Sequence, residues 1–577
     1  MTMLTKWGAA LDREHPLPEY PRPQLRRESF YNLNGVWDYA VTPSGDEPEV
    51  WDGEIVVPFS PEAPLSGAAR GPAKDEYLHY RRGFTLPEGF QKSRVLLHFG
   101  AVDQIAEVFV NGVSAAKHSG GYWPFSADIT SLLREGENIL RVTVRDNADD
   151  PTFAYGKQRY KRGGMWYTAQ SGIWQTVWLE SVPEVYVKSL RITPEFDEAR
   201  VRIELETALE SSAAITCDVR AADGSFVAGS WAKGGVCIVP LPGFRAWTPD
   251  DPYLYTLDIT CGEDRVESYF AMRKFSYVEL DGHKVFGLNN APLFHNGLLD
   301  QGYYPDGLLT PPSDEAMVND IETMKRCGFN MLRKHIKIEP LRWYYHCDRL
   351  GMIVWQDMVS GGQPYSFLHV SALPTLGKVD LPDKDAKPYG RSGVLSRARF
   401  RREMADTVRL LYNCPCIALW TVFNEGWGQF DALDMANELK KLDPTRFIDH
   451  ASGWQDQGYE EMKSRHIYFR PVKLKNDGRA LALTEYGGYI LAVDGHRWTD
   501  KVFGYRICRN SAALTHDYEK LMLGQVLPHI RKEGLTAAVY TQITDVEEEL
   551  NGLMTYDREV LKIPEETLRE INKQLKF

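Results

Sequence analysis

Residues 417–425 read IALWTVFNE, an apolar run that ends in a glutamate, and residues 480–485 repeat the design as ALALTE. In both places glycine-containing sequence follows the glutamate at once. Packing gives no reason for a carboxylate at the end of a buried strand, whereas such positions line the mouth of a barrel. For either glutamate alone, a helix cap or a distant arginine is an alternative. Together, Glu425 and Glu485 supply the two carboxyl groups that cleavage of a glycosidic bond requires.

The region around these two segments alternates strands with helices from about Tyr277 onward, which predicts a parallel sheet. Eight β/α units in about 300 residues fit a C-terminal (β/α)8 TIM barrel. The predicted strands are Leu293–Gly297, Asn330–Arg333, Met352–Asp357, Ile417–Asn424, Arg446–Asp449, His466–Phe469, Leu481–Thr484 and Ala537–Gln542. Residues 363–391 are rich in Pro, Gly and Asp and are too long for an ordinary barrel loop, so we interpret them as an active-site flap.

Two β regions precede the barrel. Short alternating strands separated by Gly, Asp and Asn turns, among them Asn111-Gly112, predict a jelly-roll sandwich in residues 1–183. A second set of about 90 residues predicts an immunoglobulin-like sandwich in residues 184–276, although it has no Cys-Trp-Cys signature. The barrel is assigned residues 277–577. The sequence therefore predicts a multidomain protein with three units.

Composition excludes several functions. The 577 residues carry 67 basic against 79 acidic side chains, a formal charge of −12, which argues against a nucleic-acid partner. No apolar run is long enough to span a membrane. The N-terminus lacks the apolar core of a secretory signal, and the eight cysteines are scattered, which favours a cytoplasmic protein with reduced thiols.

Four motifs in order along the chain carry a resemblance. They are residues 171–178 (SGIWQTVW), residues 328–333 followed by 346–354 (GFNMLR, HCDRLGMIV), residues 413–425 (NCPCIALWTVFNE) and residues 483–487 (LTEYG). In this order and spacing the chain resembles glycoside hydrolase family 2, the family of β-galactosidases, β-glucuronidases and β-mannosidases. The resemblance covers nearly the whole chain.

The resemblance implies a retaining exo-β-glycosidase with a double-displacement mechanism. In it Glu485 is the nucleophile, Glu425 the acid/base, and Asn424 the donor to the sugar 2-hydroxyl. It implies a carbohydrate or glycoconjugate substrate and neither cofactor nor metal. Family members are often oligomers, but nothing in the sequence identifies an interface.

Further pocket residues are predicted from their positions. Strand ends favour a place in the pocket over packing for Trp355, Asp357, Tyr468 and Gln542, and Tyr486 directly follows the nucleophile. Trp454 is a further candidate, either as a platform for the sugar ring or as a cap of the barrel. Trp166 belongs to the first domain, and it lies in a segment that often reaches into the active site in members of the family.

The sugar is the open question. The family's Arg-x-Ser-His-Tyr-Pro pattern is replaced by residues 333–340 (RKHIKIEP), and the Asn-x-Lys pair of β-glucuronidases is missing. The replacement places Arg333, His335 and Lys337 at a strand end, where a uronic-acid carboxylate would be well matched. Internal salt bridges to Glu339 or Asp357 are the alternative. We favour a β-hexuronidase (β-galacturonidase or β-glucuronidase) narrowly over a β-galactosidase, with β-mannosidase a further alternative.

Two functions other than catalysis are also compatible with parts of the sequence. A carbohydrate-binding protein without catalysis would keep the sandwiches and the aromatic residues, but it has no need of both glutamates. A scaffold whose β domains serve oligomerisation is the other.

Overall fold

The computed structural model describes residues 3–209, 214–376 and 380–577. The first part of the chain folds as two facing antiparallel sheets with an apolar layer between them, which contains Trp37, Tyr80 and Leu97. The six-stranded sheet has the order Gly53–Val57, Gly35–Thr42, Tyr77–Thr85, Glu137–Arg145, Ile105–Val110 and Val113–Ser119. The four-stranded sheet has the order Phe30–Asn32, Val177–Val182, Arg94–Phe99 and Phe125–Asp128.

A second, smaller pair of sheets follows with its own core, in which Val201, Leu257 and Phe270 are buried. One sheet has three strands, Val187–Glu195, Arg200–Thr207 and Val236–Pro240. The other has four, Phe226–Trp231, Ile215–Arg220, Tyr255–Cys261 and Asp264–Phe270. A three-stranded ribbon, Phe275–Leu280, His283–Leu288 and Ala291–Pro292, leads into the last unit.

The last unit is the predicted barrel. Eight parallel strands form one sheet: β1 (His295–Asp300), β2 (Met331–Lys334), β3 (Ile353–Asp357), β4 (Ile417–Thr421), β5 (Phe447–Asp449), β6 (Met462–Ile467), β7 (Ala480–Gly487) and β8 (Leu535–Thr541). Their spatial order is β5-β4-β3-β2-β1-β8-β7-β6, so every chain neighbour except β5 and β6 pairs, and β1 pairs with β8. The strands are buried along nearly their whole length, as the apolar runs predict.

Helices cover the outside of the barrel. They span Asp314–Arg326, Leu341–Leu350, Val394–Leu411, Ala432–Leu442, Ser511–Leu521, Leu527–Glu533 and Glu565–Asn572. The first begins as predicted, because the Ser313 hydroxyl accepts from the Ala316 amide and two acidic residues follow in the first turn. The predicted flap, residues 363–391, contains the short helical stretches Leu368–Ala372 and Leu373–Thr375, while residues 377–379 lie outside the described part.

The multidomain architecture and the barrel predicted from the sequence are confirmed. None of the helices in the described ranges has the length and apolar character needed to span a membrane.

Candidate active site

Glu425 and Glu485 face each other at one mouth of the barrel. Glu485 lies in β7, and Glu425 lies four residues past the end of β4, so parallel strands bring both to the same end. Three atoms here lie within 4.8 Å of one another: one carboxylate oxygen of Glu425, one of Glu485 and a ring nitrogen of His466. The two carboxyl groups are thus close enough to act on the two atoms of one bond.

The backbone of Glu425 is fixed by an unusual turn. Its φ of +54° lies in the left-handed region, which costs a residue with a side chain about 1–2 kcal/mol. Its amide donates to the Ser452 carbonyl at 2.9 Å, and its carbonyl accepts from Trp454 Nε1 at 2.9 Å. Gly426 continues the turn at φ +73°, and a Cβ there would lie 3.0 Å from Gln455 Cγ. The glycine after Glu425 therefore permits a sharp, tightly packed turn at the strand end.

The side chain of Glu485 is held at both oxygens. Oε1 accepts from Arg333 Nη1 at 3.1 Å, and Oε2 accepts from the Tyr468 hydroxyl at 2.6 Å. Burial and the neighbouring Glu425 raise the pKa of Glu485, while Arg333 and the Tyr468 hydrogen bond oppose that rise. The direct contact with a guanidinium makes Glu485 the better placed of the two glutamates to carry the negative charge.

The Arg333 guanidinium uses all of its hydrogen-bond donors on groups within the protein. Its guanidinium pairs with both oxygens of Asp357 at 3.0 Å, and donates to Asn424 Oδ1 at 2.8 Å and to the Thr484 carbonyl at 3.1 Å. The residue has no exposed surface. Its donors are all used within the protein, which favours the internal ion pairs over a bond to a substrate carboxylate.

Lys337 is likewise held by partners inside the protein. Its ammonium donates to Glu339 Oε1 and to the Leu309 carbonyl, each at 2.8 Å, and only 1% of the residue is exposed. His335 lines the pocket, but its Nδ1 lies 2.9 Å from Asp357 Oδ2 and burial lowers its pKa to about 3. The basic turn after β2 is therefore an internal network of ion pairs and hydrogen bonds, the alternative that the sequence left open.

His466, which the sequence analysis did not single out, lies between the two glutamates. Its Nδ1 is 2.8 Å from Glu425 Oε1 and 3.5 Å from Glu485 Oε2. Burial lowers its pKa to about 4, so the ring is neutral at pH 7. On the other side, Nε2 lies 3.5 Å from Arg333 Nη1, a group that can only donate. We therefore assign the ring proton to Nδ1, which donates to Glu425.

Glu425 itself is set up as an acid near neutral pH. Burial raises the pKa of its carboxyl group to about 7, while the more distant charges of Lys157 and Arg333 oppose that rise. Its side chain is 22% exposed, and it opens into the pocket. No arginine or lysine of the described chain forms an ion pair with it. The environments of the two glutamates thus differ: Glu485 is paired with the Arg333 guanidinium, whereas Glu425 has no such partner in the described chain and has a pKa raised to about 7.

The pocket between the sandwich and the barrel is lined by residues of both. The lining includes Lys157, Met165, Trp166, Gln301, His335, Tyr365, Asn424, Glu425, Trp427, Tyr468, Glu485, Tyr505 and Glu549. The first sandwich is docked through the Tyr155 and Gly156 amides, which donate to the Ser360 carbonyl at 3.1 and 2.9 Å. A Cβ on Gly156 would lie 3.0 Å from the Ile336 carbonyl, so glycine lets this loop lie on the turn after β2 and brings Lys157 to the pocket.

The other predicted residues divide into two groups. Asn424, Tyr468 and Trp166 line the pocket, and Trp454 lines an adjoining cleft. Four do not reach either: Trp355, whose Nε1 donates to His295 inside the barrel; Asp357, which pairs with Arg333; Tyr486, whose hydroxyl contacts Met522; and Gln542, which bonds Gln301 and Asn551. Successive residues of a strand face opposite sides, so a position near the strand end does not by itself decide whether the side chain reaches the pocket.

The same three side chains, Glu425, His466 and Glu485, have the spacing of metal ligands. Their short contacts are those of hydrogen bonds, and Arg333 supplies a counter-charge to Glu485. The arrangement is satisfied without a metal ion.

Three sequence models of one family match the chain in the order of its units. They are described as "Glycosyl hydrolases family 2, sugar binding domain" over residues 64–183, "Glycosyl hydrolases family 2" over residues 185–273, and "Glycosyl hydrolases family 2, TIM barrel domain" over residues 311–476.

The individual relatives are named for more than one sugar. A β-galactosidase of Thermoanaerobacter pseudethanolicus is 25% identical over 64% of this chain and 47% of its own length. The β-glucuronidase of Homo sapiens is 23% identical over 78% of this chain and 73% of its own. A solved β-glucuronidase from an uncultured Clostridium superposes with a TM-score of 0.74 at 18% identity, over 96% of this chain and 99% of that one. The chain thus spans less than half the length of the β-galactosidase.

Proposed function

We propose that this chain, which belongs to glycosyl hydrolase family 2, is a retaining exo-β-glycosidase. The observation that carries the proposal is the pair Glu425 and Glu485, with carboxylate oxygens within 4.8 Å of each other. Retaining enzymes hold their carboxyl groups about 5–5.5 Å apart, and inverting enzymes about 6.5–9.5 Å apart to admit a water. The short separation supports the retaining mechanism.

In this mechanism Glu485 attacks the anomeric carbon. Arg333 and Tyr468 fix both oxygens of its carboxylate, which keeps the attacking group oriented without a reorganisation step. The glycosidic bond breaks as a covalent glycosyl-enzyme forms on Glu485, and the leaving oxygen takes the proton of Glu425.

The second half of the reaction uses the same groups in reverse. Glu425 is a carboxylate once its proton has gone to the leaving oxygen, and esterification of Glu485 removes the charge that disfavoured this ionised form, so Glu425 can now take a proton from water. The water releases the sugar with its β configuration retained. The Nδ1–H group of His466 continues to donate a hydrogen bond to Glu425, which stabilises the Glu425 carboxylate.

Asn424 is suited to hold the sugar. Its Oδ1 accepts from Arg333 at 2.8 Å, which orients the amide so that its N–H groups are free for the pocket. A donor there supports the role of binding the sugar 2-hydroxyl that the family resemblance implies.

For the sugar we again favour a β-hexuronide, but the argument now rests on Lys157 and no longer on the basic turn after β2. Among the described residues that line the pocket, Lys157 is the one lysine or arginine. Its ammonium lies 5.7 Å from the ring of Tyr167 and forms no ion pair with the described chain. An unpaired cation at the wall of a sugar pocket is matched by a uronic-acid carboxylate.

A β-galactoside is the second candidate, and a different observation favours it. Glu549 also lines the pocket, 3% exposed, where its Oε2 accepts from the Tyr167 hydroxyl. A carboxylate in this place binds sugar hydroxyls well and repels a uronate. The two candidates therefore differ in whether Lys157 or Glu549 meets the far end of the sugar.

A panel of nitrophenyl β-galacturonide, glucuronide, galactoside and mannoside tests the proposal. Hydrolysis of any of the four supports the glycosidase, and a higher kcat/KM on a hexuronide supports the favoured sugar. Activity on neutral sugars alone would reject the hexuronide, and no hydrolysis of any would count against the glycosidase.

A further inference from the structure

A second cleft opens beside the candidate active site. It has a volume of about 520 Å³ and shares Met165, Ser371, Glu425, Tyr468 and Tyr505 with the sugar pocket. Its remaining walls include Phe367, Leu376, Trp454, Phe469, Arg470 and Phe503. The cleft therefore begins at the acid/base and runs away from the sugar pocket.

The walls of this cleft are strongly apolar although they face solvent. Phe367 is 72% exposed, Phe469 68% and Leu376 63%. Single exposed apolar side chains are ordinary, but several around one cleft mark a binding site. Trp454, His466 and Tyr468 use their polar groups within the protein, which leaves Ser371, Thr375, Arg470 and the Tyr505 hydroxyl as the other polar groups of the described lining.

One wall is tied to the backbone of the acid/base. The segment 366–376, part of the predicted flap, is anchored by Trp454, whose Nε1 donates to the Val370 carbonyl at 3.0 Å and to the Glu425 carbonyl at 2.9 Å. Gln455 adds a bond to the His369 carbonyl at 2.7 Å. The apolar wall is thereby held at a fixed place relative to Glu425.

The opposite wall is a set of aromatic rings. Tyr468 and Tyr505 stack with centroids 3.8 Å apart, and Phe469 meets Tyr505 edge-on at 5.1 Å. Tyr468 also donates to Glu485, so this ring surface extends from the nucleophile into the cleft. Planar apolar groups stack favourably on such a surface.

We infer that this cleft binds the leaving group, and that the leaving group is a planar, apolar aglycone rather than a second sugar. The inference rests on the proposed function, in which Glu425 protonates the glycosidic oxygen and the leaving group must begin there. A sugar would bring several hydroxyl groups against walls that offer few partners, and each unpaired hydroxyl costs free energy. A fused aromatic ring would instead bury the exposed side chains of Phe367, Leu376 and Phe469.

The test compares three substrates that share the sugar preferred in the panel: the phenyl β-glycoside, the 2-naphthyl β-glycoside and a β-linked disaccharide. Phenol and 2-naphthol have similar acidity, so the two aryl substrates differ mainly in apolar area. We expect kcat/KM to be about tenfold higher for the naphthyl than for the phenyl substrate, and lowest for the disaccharide.

Two variants and one control locate the effect. Phe367→Ala and Phe469→Ala should lower kcat/KM for the naphthyl substrate more than for the phenyl substrate and so remove most of the naphthyl advantage. Phe226→Ala, which removes a 60% exposed phenylalanine from the second sandwich, should change neither. The covalent intermediate is hydrolysed after the leaving group has departed. The rate of this step should therefore be the same for all three substrates and in every variant.

The outcomes are separable. If the phenyl substrate is cleaved but the disaccharide is cleaved at least as well as the naphthyl substrate, the inference about the aglycone is wrong and the glycosidase stands. A naphthyl advantage that survives both substitutions would also overturn it. If no glycoside is cleaved, the proposed function fails and this inference with it.

Discussion

The Nδ1 atom of His466 lies 2.8 Å from Oε1 of Glu425. The ring is neutral, because burial lowers its pKa to about 4, and its proton is assigned to the side that faces the glutamate. The hydrogen bond therefore stabilises the ionised form of the acid/base without adding a full charge to the site.

Replacing His466 with Phe should move the basic limb of the pH–rate profile upward. Without its donor the carboxylate of Glu425 is less stable, so its pKa rises and the acid persists to higher pH. Because a less acidic carboxyl group transfers its proton to the leaving oxygen less readily, we expect kcat/KM to fall about 10- to 100-fold at pH 7 although more of the acid is protonated. His466→Asn, which keeps an amide donor, should restore part of the rate and the position of the limb. A loss of rate with an unmoved limb in both variants would mean that His466 only packs.

The wild-type profile should report Glu425 directly. Glycosylation needs the protonated acid, so kcat/KM should be high below its pKa of about 7 and fall as the pH rises through that value. Glu425→Gln should lose this limb when the leaving group is acidic enough to depart without protonation. Measuring both enzymes on nitrophenyl and phenyl glycosides checks this. A basic limb that persists in Glu425→Gln belongs to another group.

Lys157→Met tests the choice of sugar. If the ammonium pairs with a uronate, kcat/KM on hexuronides should fall about 10- to 100-fold while that on galactosides is unchanged. Lys161→Met removes an exposed lysine of the same loop and serves as the matched control. Equal losses on charged and neutral sugars would assign Lys157 a structural role.

Lys337→Met should act on stability and leave selectivity alone. Its ammonium is buried against Glu339 and two carbonyl groups, and removing it should cost about 3 kcal/mol of unfolding free energy. The ratio of hexuronide to galactoside activity should stay that of the wild type. A lowered ratio with an unchanged melting temperature would return Lys337 to the substrate site.

The sequence predicted the barrel and the placement of both glutamates, because both depend on local patterns. An apolar strand that ends in a polar residue places that residue at the barrel mouth, as Glu425, Glu485 and Tyr468 show. The same rule did not place Trp355 and Tyr486: Trp355 donates to His295 inside the barrel, and Tyr486, next to Glu485, leaves its strand on the opposite face, where its hydroxyl contacts Met522. Strand periodicity near an irregular end cannot fix that choice.

The charged residues of the site were the part that the sequence could not resolve. Lys337 was predicted at the pocket, yet Glu339 and distant backbone carbonyls hold it inside. Lys157 went unnoticed because the docking of the first sandwich brings it to a barrel more than a hundred residues away. His466 carried a local signal, a histidine two residues before Tyr468 at the end of a predicted strand, but its meaning depends on Glu425 and Arg333 across the barrel.

The central claim is that Glu485 forms a covalent bond to the sugar. A 2-deoxy-2-fluoro β-glycosyl fluoride of the preferred sugar tests it, because the fluorine slows hydrolysis of the intermediate and lets it accumulate. Mass spectrometry of the intact protein and its peptides should show one added glycosyl group, on the peptide that contains Glu485, and none on Glu485→Gln. A label on a different residue, or turnover to the α-anomer without any label, would contradict it.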